Sequence, residues 1–310
     1  MKKRILILGG FGFMGTNTNI AFENDDKYII FNESRRTNCD MRNLLQLKEK
    51  LIDIDPDIII DAAAIVGSLN YLTKYAADVV FDNSLMYLNL YQAVSEVNKD
   101  IIIINPISNC AYPSTIDVQK EELFWDGALH HSIESFGMPK RLGFTVSECY
   151  KKQFGVKTVN LIIPNSYGEN DYNDSNKTHA MNGIVMRMIK SMRNLEKEFV
   201  VWGTGTPIRE WVYMPDVGRL FKHITDNELF DLPNPINVGQ ENGISIIDTV
   251  KIIKEMLEYD TKIVLDTTKQ DGAPIKIVGE GLFKKHFPDF IFTDYKEGIK
   301  NTIKYYEKLI

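Results

Sequence analysis

Cysteine is scarce in this sequence: three in 310 residues (Cys39, Cys110 and Cys149), with no C-x-x-C pair. That excludes a disulfide-stapled scaffold and a thiolate metal site, so no metal is expected and a reduced, cytoplasmic setting is. Long apolar runs are missing as well. The N-terminal run, residues 5–8, stops at glycine. It is too short for a signal peptide, and nothing reaches the ~18 residues of a membrane span. There is no excess of positive charge, since 36 Lys and Arg stand against 42 Asp and Glu, a net charge of −6. Nucleic acid and anionic membranes are therefore not expected as partners. Internal repeats and low-complexity segments are absent.

What is present is the composition of a globular chain, 44% hydrophobic and 25% charged. Its length suits one large domain or two unequal ones. Short β-branched runs alternate with helical stretches from the start. Strands are expected at 5–8, 28–31, 57–61, 101–105 and 156–163, and helices at 16–23, 44–52, 84–97 and 136–154. Strands apolar on both faces, separated by helices, read as a doubly wound parallel α/β sheet, a Rossmann domain over residues 1–164. After residue 164 the rhythm breaks. A loop is expected at 165–177 and a helix at 181–192, within a smaller mixed α/β substrate lobe over 165–310. Some segments, such as 235–239, are expected to return to the large domain.

Gly9, Gly12 and Gly15 follow the first strand and open the first helix, with Phe13 and Met14 between the last two. Glycine lets the chain take unusual φ values and approach a pyrophosphate closely, and the helix N-terminus presents free N–H groups to the phosphates. A dinucleotide site is expected there. An acidic residue after the second strand would bond the ribose 2′-OH of NAD, and arginine there would accept the 2′-phosphate of NADP. The strand ends Asn32-Glu33-Ser34-Arg35-Arg36. Asn32 stands at the usual place of the acid, and Arg36 leans the reading to NADP(H), while Glu33 keeps NAD(H) open.

The GxxGxxG spacing resembles the extended branch of the short-chain dehydrogenase/reductase superfamily. Within it, nearly the whole chain resembles the GDP-L-fucose synthases and related GDP-4-keto-sugar reductases. The stretches that carry this are Asp61-Ala62-Ala63-Ala64-Ile65-Val66-Gly67, Ser108-Asn109-Cys110-Ala111-Tyr112-Pro113, Asn165-Ser166-Tyr167-Gly168 and Ser175-Asn176-Lys177-Thr178-His179. Val201-Trp202-Gly203-Thr204-Gly205-Thr206-Pro207-Ile208-Arg209-Glu210 and Lys269-Gln270-Asp271-Gly272-Ala273-Pro274 follow.

The resemblance implies that Ala62 and Ala63 line the cofactor, that Ser108 bonds the reacting sugar oxygen, and that Lys140 holds the nicotinamide ribose. It implies that Cys110 and His179 move protons at the carbons flanking a ketone. Asn165, Arg187, Trp202, Arg209 and Lys269 match positions lining a GDP-sugar pocket. A homodimer is implied, pairing through the helices near 85–97 and after Lys140, as is a role in supplying capsule or surface polysaccharide.

The chemistry is sound for these residue types. A ketone accepting hydride needs donors aimed at its developing oxyanion, which a serine beside a lysine supplies. Cysteine and histidine titrate nearest neutrality, as removal of a proton next to a ketone requires. Each residue also has a plainer reading: Cys110 as a small buried hydrophobe, His179 as a solvated loop residue, Trp202 as core, and Arg209 as a surface ion pair with Glu210.

One departure bears on activity. The superfamily's Tyr-x-x-x-Lys motif reads Phe136-Gly137-Met138-Pro139-Lys140, so the lysine is kept and the phenol is lost. Pro139 is tolerable if the helix has only just begun there. Three readings stay open: a Tyr→Phe substitution that stalls the chemistry, a proton routed through Ser108, Cys110 or water, or a relative that binds and turns over slowly. Ile275 also stands where fucose synthases tend to carry arginine ahead of Lys276. The leading expectation is NAD(P)-dependent redox chemistry at C4 of a GDP-linked hexose or heptose, with epimerisation beside the ketone if Cys110 and His179 both act. The rivals are a nucleotide-sugar C4-epimerase or 4,6-dehydratase with retained cofactor, and a cofactor-binding scaffold without catalysis.

Overall fold

The computed structural model describes residues 2–174, 177–269 and 271–310; Met1, Ser175, Asn176 and Gln270 lie outside the described residues, the last three within motif stretches of the sequence. The first part of the chain runs β1 (Lys3–Leu8), α1 (Phe13–Phe22), β2 (Tyr28–Glu33), α2 (Leu44–Ile54), β3 (Ile58–Asp61), α3 (Leu69–Lys74), α4 (Ala76–Val97), β4 (Ile102–Ser108), β5 (Val118–Gln119), α5 (Glu134–Phe154) and β6 (Thr158–Ile163). The remainder runs β7 (Asn165–Tyr167), α6 (Ala180–Arg193), β8 (Glu198–Trp202), β9 (Ile208–Tyr213), α7 (Met214–Asp226), β10 (Ile236–Asn237), β11 (Gly243–Ser245), α8 (Ile246–Met256), β12 (Lys262–Asp266), β13 (Ile275–Val278), α9 (Gly281–His286) and α10 (Tyr295–Leu309).

Six strands form one parallel sheet in the order β10-β6-β4-β3-β1-β2. Side chains alternate across it. Ile5 and Ile7 join the core beneath α1 and α7, whereas Leu6 and Leu8 join the core beneath α2, α4 and α5. Burial on both faces is what the continuous apolar strands require. Register places Leu8 beside Glu33 and Asp61, and Ser108 beside Ile163, so these residues share the carboxyl edge of the sheet. β2 lies on one side of β1 and β3 on the other, which makes the carboxyl end of β1 the switch point where such sheets bind ligands.

Helix α7 packs on α1 so closely that a Cβ at Gly218 would stand 2.5 Å from the Asn17 carbonyl oxygen. A second sheet, β11-β9-β13-β5 with β7 beside β9, and the pair β12-β8 build the smaller lobe over α6, α8 and α10. β10, within the expected 235–239 segment, pairs with β6 in the large sheet.

The structure corrects several expected bounds. α4 begins at Ala76, eight residues before 84, and α1 begins at Phe13 rather than 16. The stretch 165–177 is not all loop, since β7 pairs with β9. α5 starts at Glu134, so Pro139 lies inside the helix rather than at its opening turn. It therefore leaves the Ser135 carbonyl without its helical N–H partner.

Candidate active site

The glycine loop is shaped by close approach. Gly9 has φ +75°, and a Cβ there would lie 2.8 Å from Ala63. A Cβ at Gly15 would stand 2.3 Å from the Gly9 carbonyl oxygen, so the first turn of α1 can sit on the loop only without one. Above Gly12 the space is open apart from the Gly9 oxygen at 3.3 Å. Gly12 is the N-cap of α1 without a side-chain cap, and no acidic residue occupies the first turn. The first N–H groups of α1, on Phe13, Met14 and Gly15, are thus left for an anion. A dinucleotide's pyrophosphate fits this cradle.

At the end of β2 the Asn32 amide donates to Asn19 at 2.8 Å, and its oxygen is buried with no partner among the described residues. Glu33 is already engaged. Lys50 lies 3.1 Å from its carboxylate, and the Thr37 hydroxyl donates to it. Arg35 and Arg36 are exposed and form no salt bridge among the described residues.

Strand β4 ends at Ser108, and the chain turns at once through Cys110, whose N–H donates to the Ser108 hydroxyl at 3.2 Å. α5 presses on this turn at Gly137, where a Cβ would be 2.4 Å from the Cys110 carbonyl oxygen. Arg141, a turn later, donates to the carbonyls of Ala111, Phe124 and Gly127 and fixes the segment after the turn. This contact sets Phe136 against Cys110 and brings Lys140 within its field. Phe136 is 7% exposed and packs with Leu72, Val79 and Cys110.

The Lys140 ammonium lies 5.5 Å from the centre of the Phe136 ring. It donates to the Tyr87 hydroxyl at 2.6 Å and to the Pro106 carbonyl at 3.4 Å. Burial pulls Lys140 down to about 8, while Asp61 and Cys110 favour its charge. Asp61, also buried, is pushed up to about 6 by that burial, with Lys140 and the Ala63 N–H opposing.

Cys110 meets a second cation, as the Lys276 ammonium on β13 lies 3.2 Å from its Sγ. Burial raises the thiol, but Lys276, Ser108 and Arg209 together bring it below the ordinary range. Arg209 is the register partner of Lys276. Its guanidinium donates to the Ile208 carbonyl at 2.7 Å, and burial pulls it down to about 10, against Cys110 and Asp271. The ion pair of Arg209 with Glu210 does not form. The Glu210 carboxylate instead accepts the N–H groups of Gln240 and Val278, at 2.6 and 2.8 Å.

His179 caps α6 and gives its Nδ1 to Asp171 at 3.1 Å. Asp171 also accepts the His179 N–H, the Thr178 hydroxyl and the Asn182 amide, all on one oxygen. Its burial alone would raise it, yet these partners, His179 foremost, hold it below the usual carboxylate range. This fixes Nδ1 as the donor and leaves Nε2 as the basic nitrogen. The His179 ring lies 5.0 Å from that of Phe13, so the second lobe touches the glycine loop here.

In the smaller lobe the Arg187 guanidinium lies 4.4 Å over the Trp202 ring and donates to the Val200 carbonyl. Trp202 is 48% exposed, which rules out the core reading. Asn165 donates to the Glu210 carbonyl at 3.1 Å. Lys269 is exposed on the turn after β12, and no ion pair joins it to the other described residues of the group. It is Lys276 that reaches Cys110. Sequence reasoning missed Lys276 in this role, together with Asp171, Tyr87 and Arg141. Lys276 and Tyr87 act through partners distant in sequence, and Asp171 and Arg141 through loop contacts that no regular spacing signals.

A family model described as the NAD dependent epimerase/dehydratase family matches residues 5–239. The GDP-L-fucose synthase of Dictyostelium discoideum is 26% identical over 307 residues, 98% of this chain and 95% of that protein. The GDP-L-colitose synthase of Yersinia pseudotuberculosis is 26% identical over 305 residues, 98% and 97% of the two chains. Among solved structures, a GDP-L-fucose synthetase from Naegleria fowleri bound to NADP superposes with a TM-score of 0.88 at 23% identity, covering 99% of this chain and 95% of that one. A GDP-6-OMe-4-keto-L-xylo-heptose reductase from C. jejuni gives 0.88 at 19% identity, covering 100% and 99%.

Proposed function

The chain belongs to the NAD dependent epimerase/dehydratase family, and from that premise we propose that it is an NADP(H)-dependent oxidoreductase acting at C4 of a GDP-linked 4-keto sugar. The observation that carries this is the packing of α5 on the turn after β4 at Gly137, which gathers Ser108, Cys110 and Lys140 at the carboxyl edge of the sheet. The relatives named for GDP-L-fucose and GDP-L-colitose, aligned over almost their whole length, support the substrate class.

In this reading the N-terminus of α1 and Gly9, Gly12 and Gly15 hold the cofactor pyrophosphate, and Ala62, Ala63 and Asn32 border the adenosine side. Glu33 is neutralised by Lys50 and Thr37, and Arg36 stands free to meet a 2′-phosphate, which supports NADP(H) over NAD(H). When bound, the nicotinamide supplies hydride to the ketone carbon. Ser108 donates to the ketone oxygen, and Lys140 places a positive charge near the oxyanion as it forms. Phe136 contributes packing and no proton, so the alkoxide is protonated more slowly than with a phenol in place. Cys110 and His179 face the carbons beside the ketone and exchange protons there. Asn165, Arg187, Trp202, Arg209 and Lys269 receive the GDP-sugar, with Arg187 already laid over the exposed Trp202 ring.

Labour divides at residue 164 in this reading, the cofactor before it and the sugar mainly after it. The proposal extends to a cytoplasmic homodimer through α4 and α5, supplying a surface polysaccharide precursor. Phe81 on α4 is 65% exposed, as such pairing requires of an uncovered helix face. Three free cysteines suit a reduced compartment. Among the described residues no helix is long and apolar enough to cross a membrane.

The test is incubation of the protein with NADPH and a GDP-linked 4-keto hexose or heptose. Oxidation of NADPH matched by a reduced GDP-sugar is the expected result. Product without net NADPH consumption identifies an epimerase, and cofactor binding without turnover, even in Phe136→Tyr, identifies a scaffold; either overturns the proposal.

A further inference from the structure

Lys276 stands out among the buried cations of the molecule. It is buried on β13 and forms no salt bridge among the described residues, and its ammonium ends 3.2 Å from the sulfur of Cys110. A buried ammonium without a counter-ion is unfavourable unless something nearby carries negative charge. The charged groups that face the thiol are cations, and of the carboxylates acting on them Asp271 faces Arg209 and Asp61 faces Lys140. Around the sulfur stand Lys276 from β13, Arg209 from β9, Lys140 from α5 and the Ser108 hydroxyl from its own turn. His130, just ahead of α5, stands in the field of the same Arg209 and Lys276. Register locks the two cations side by side, because Lys276 pairs with Arg209 between β13 and β9.

We propose that Lys276 is a positioning residue that holds Cys110 as a thiolate and so makes it the base that removes a proton from a carbon beside the substrate ketone. In that step the C–H bond breaks and an S–H bond forms. The electron pair stays on the substrate as the enolate of the adjacent ketone, so no oxidant or reductant is needed. The base role rests on the proposed function, whereas the thiolate itself rests on the Lys276 contact and the groups around it and not on that function.

The test reads the thiol directly. In a Cys149→Ser background, which removes the exposed cysteine, thiolate absorbance is titrated against pH, with Cys110→Ser as the blank. Cys110 is expected to ionise below an ordinary thiol, about 8.5. Titration at the ordinary value overturns the proposal without any change at Lys276. Alkylation of Cys110 by iodoacetamide is then followed by peptide mass spectrometry in Lys276→Met and Lys276→Arg. The methionine variant should move the midpoint up by a unit or more, and the arginine variant should stay near the parent. A midpoint unmoved in Lys276→Met, with only KM for the sugar raised, would make Lys276 a substrate ligand and refute its positioning role.

With a GDP-4-keto sugar in deuterium oxide, Lys276→Met should lose exchange at the flanking carbons at least tenfold more than it loses NADPH oxidation. A depressed thiol in a protein that ignores GDP-sugars would overturn the proposed function and leave the thiolate standing. GDP-sugar reduction by a protein with an ordinary thiol would do the reverse.

Discussion

Replacing Phe136 with tyrosine would place a phenol beside a lysine that is already in position. The ring is buried, and the Lys140 ammonium lies 5.5 Å from its centre. For a phenolate oxygen about 5–6 Å from the ammonium, with an effective dielectric of about 20, the charge is favoured by roughly 3 kcal/mol, or about two pK units. The phenol would fall from about 10 towards about 8, with burial opposing part of the shift, and so become a usable acid near neutrality. A general acid in place is worth about 10²–10⁴-fold in rate, or roughly 3–5 kcal/mol of barrier. Phe136→Tyr should therefore raise kcat for NADPH oxidation with a GDP-linked 4-keto sugar by that factor. KM for sugar and cofactor should move by no more than about threefold, because the ring's packing is retained. Stopped-flow and steady-state assays at saturating substrate give both numbers. An unchanged kcat with both ligands bound would refute the reasoning and place the proton on Ser108, Cys110 or a water.

Three further outcomes follow from the same geometry. Arg36→Ala should weaken NADPH binding by about 10- to 100-fold, the worth of a charge-assisted hydrogen bond, and NADH binding far less; calorimetric titration with the two cofactors checks this. Lys140 is charged below about 8, so kcat/KM should fall as pH rises through that value, about tenfold per unit. The stability effect runs the other way: the unfolded chain binds more protons between about 8 and the ordinary lysine value, so the fold gains stability as pH rises across that window. Asp171→Asn should lower stability by about 3 kcal/mol in urea melts, since one buried oxygen now takes four donors, and should slow proton exchange beside the ketone more than hydride transfer. With its carboxyl held below the usual range, the native Asp171 contribution is present above the unfolded value of about 4 and is lost as pH falls below it.

Much of the large domain was legible because its strands are short isoleucine-rich runs ending at glycine or polar residues, and because Gly9, Gly12 and Gly15 had no other economical use. The start of α4 was not legible. Residues 76–83 mix Asp and Asn with apolar residues, and no side chain caps the helix, so Ala76 looks like loop in sequence. β7 was hidden for a different reason: three residues become a strand only because β9 lies beside them. The same limit applies to the site. Ser108, Cys110, Lys140 and Arg209 could be read from motifs, but the partners that set their chemistry come from afar. Tyr87 reaches Lys140 from α4, and Lys276 reaches Cys110 from 166 residues away. Asp171 holds His179 from the far side of two residues that lie outside the described structure. Glu33 was weighed as a ribose ligand, yet Lys50 and Thr37 occupy its carboxylate, a contest that sequence order cannot show.

Transfer of hydride to C4 of a GDP-linked sugar is the central claim, and an isotope label tests it most directly. NADPH carrying deuterium on its reactive nicotinamide face, incubated with the protein and a GDP-4-keto hexose or heptose, should yield a reduced GDP-sugar with one deuterium, located at C4 by NMR. A product labelled elsewhere, or unreacted ketone in the presence of bound NADPH with both the native chain and Phe136→Tyr, would contradict it.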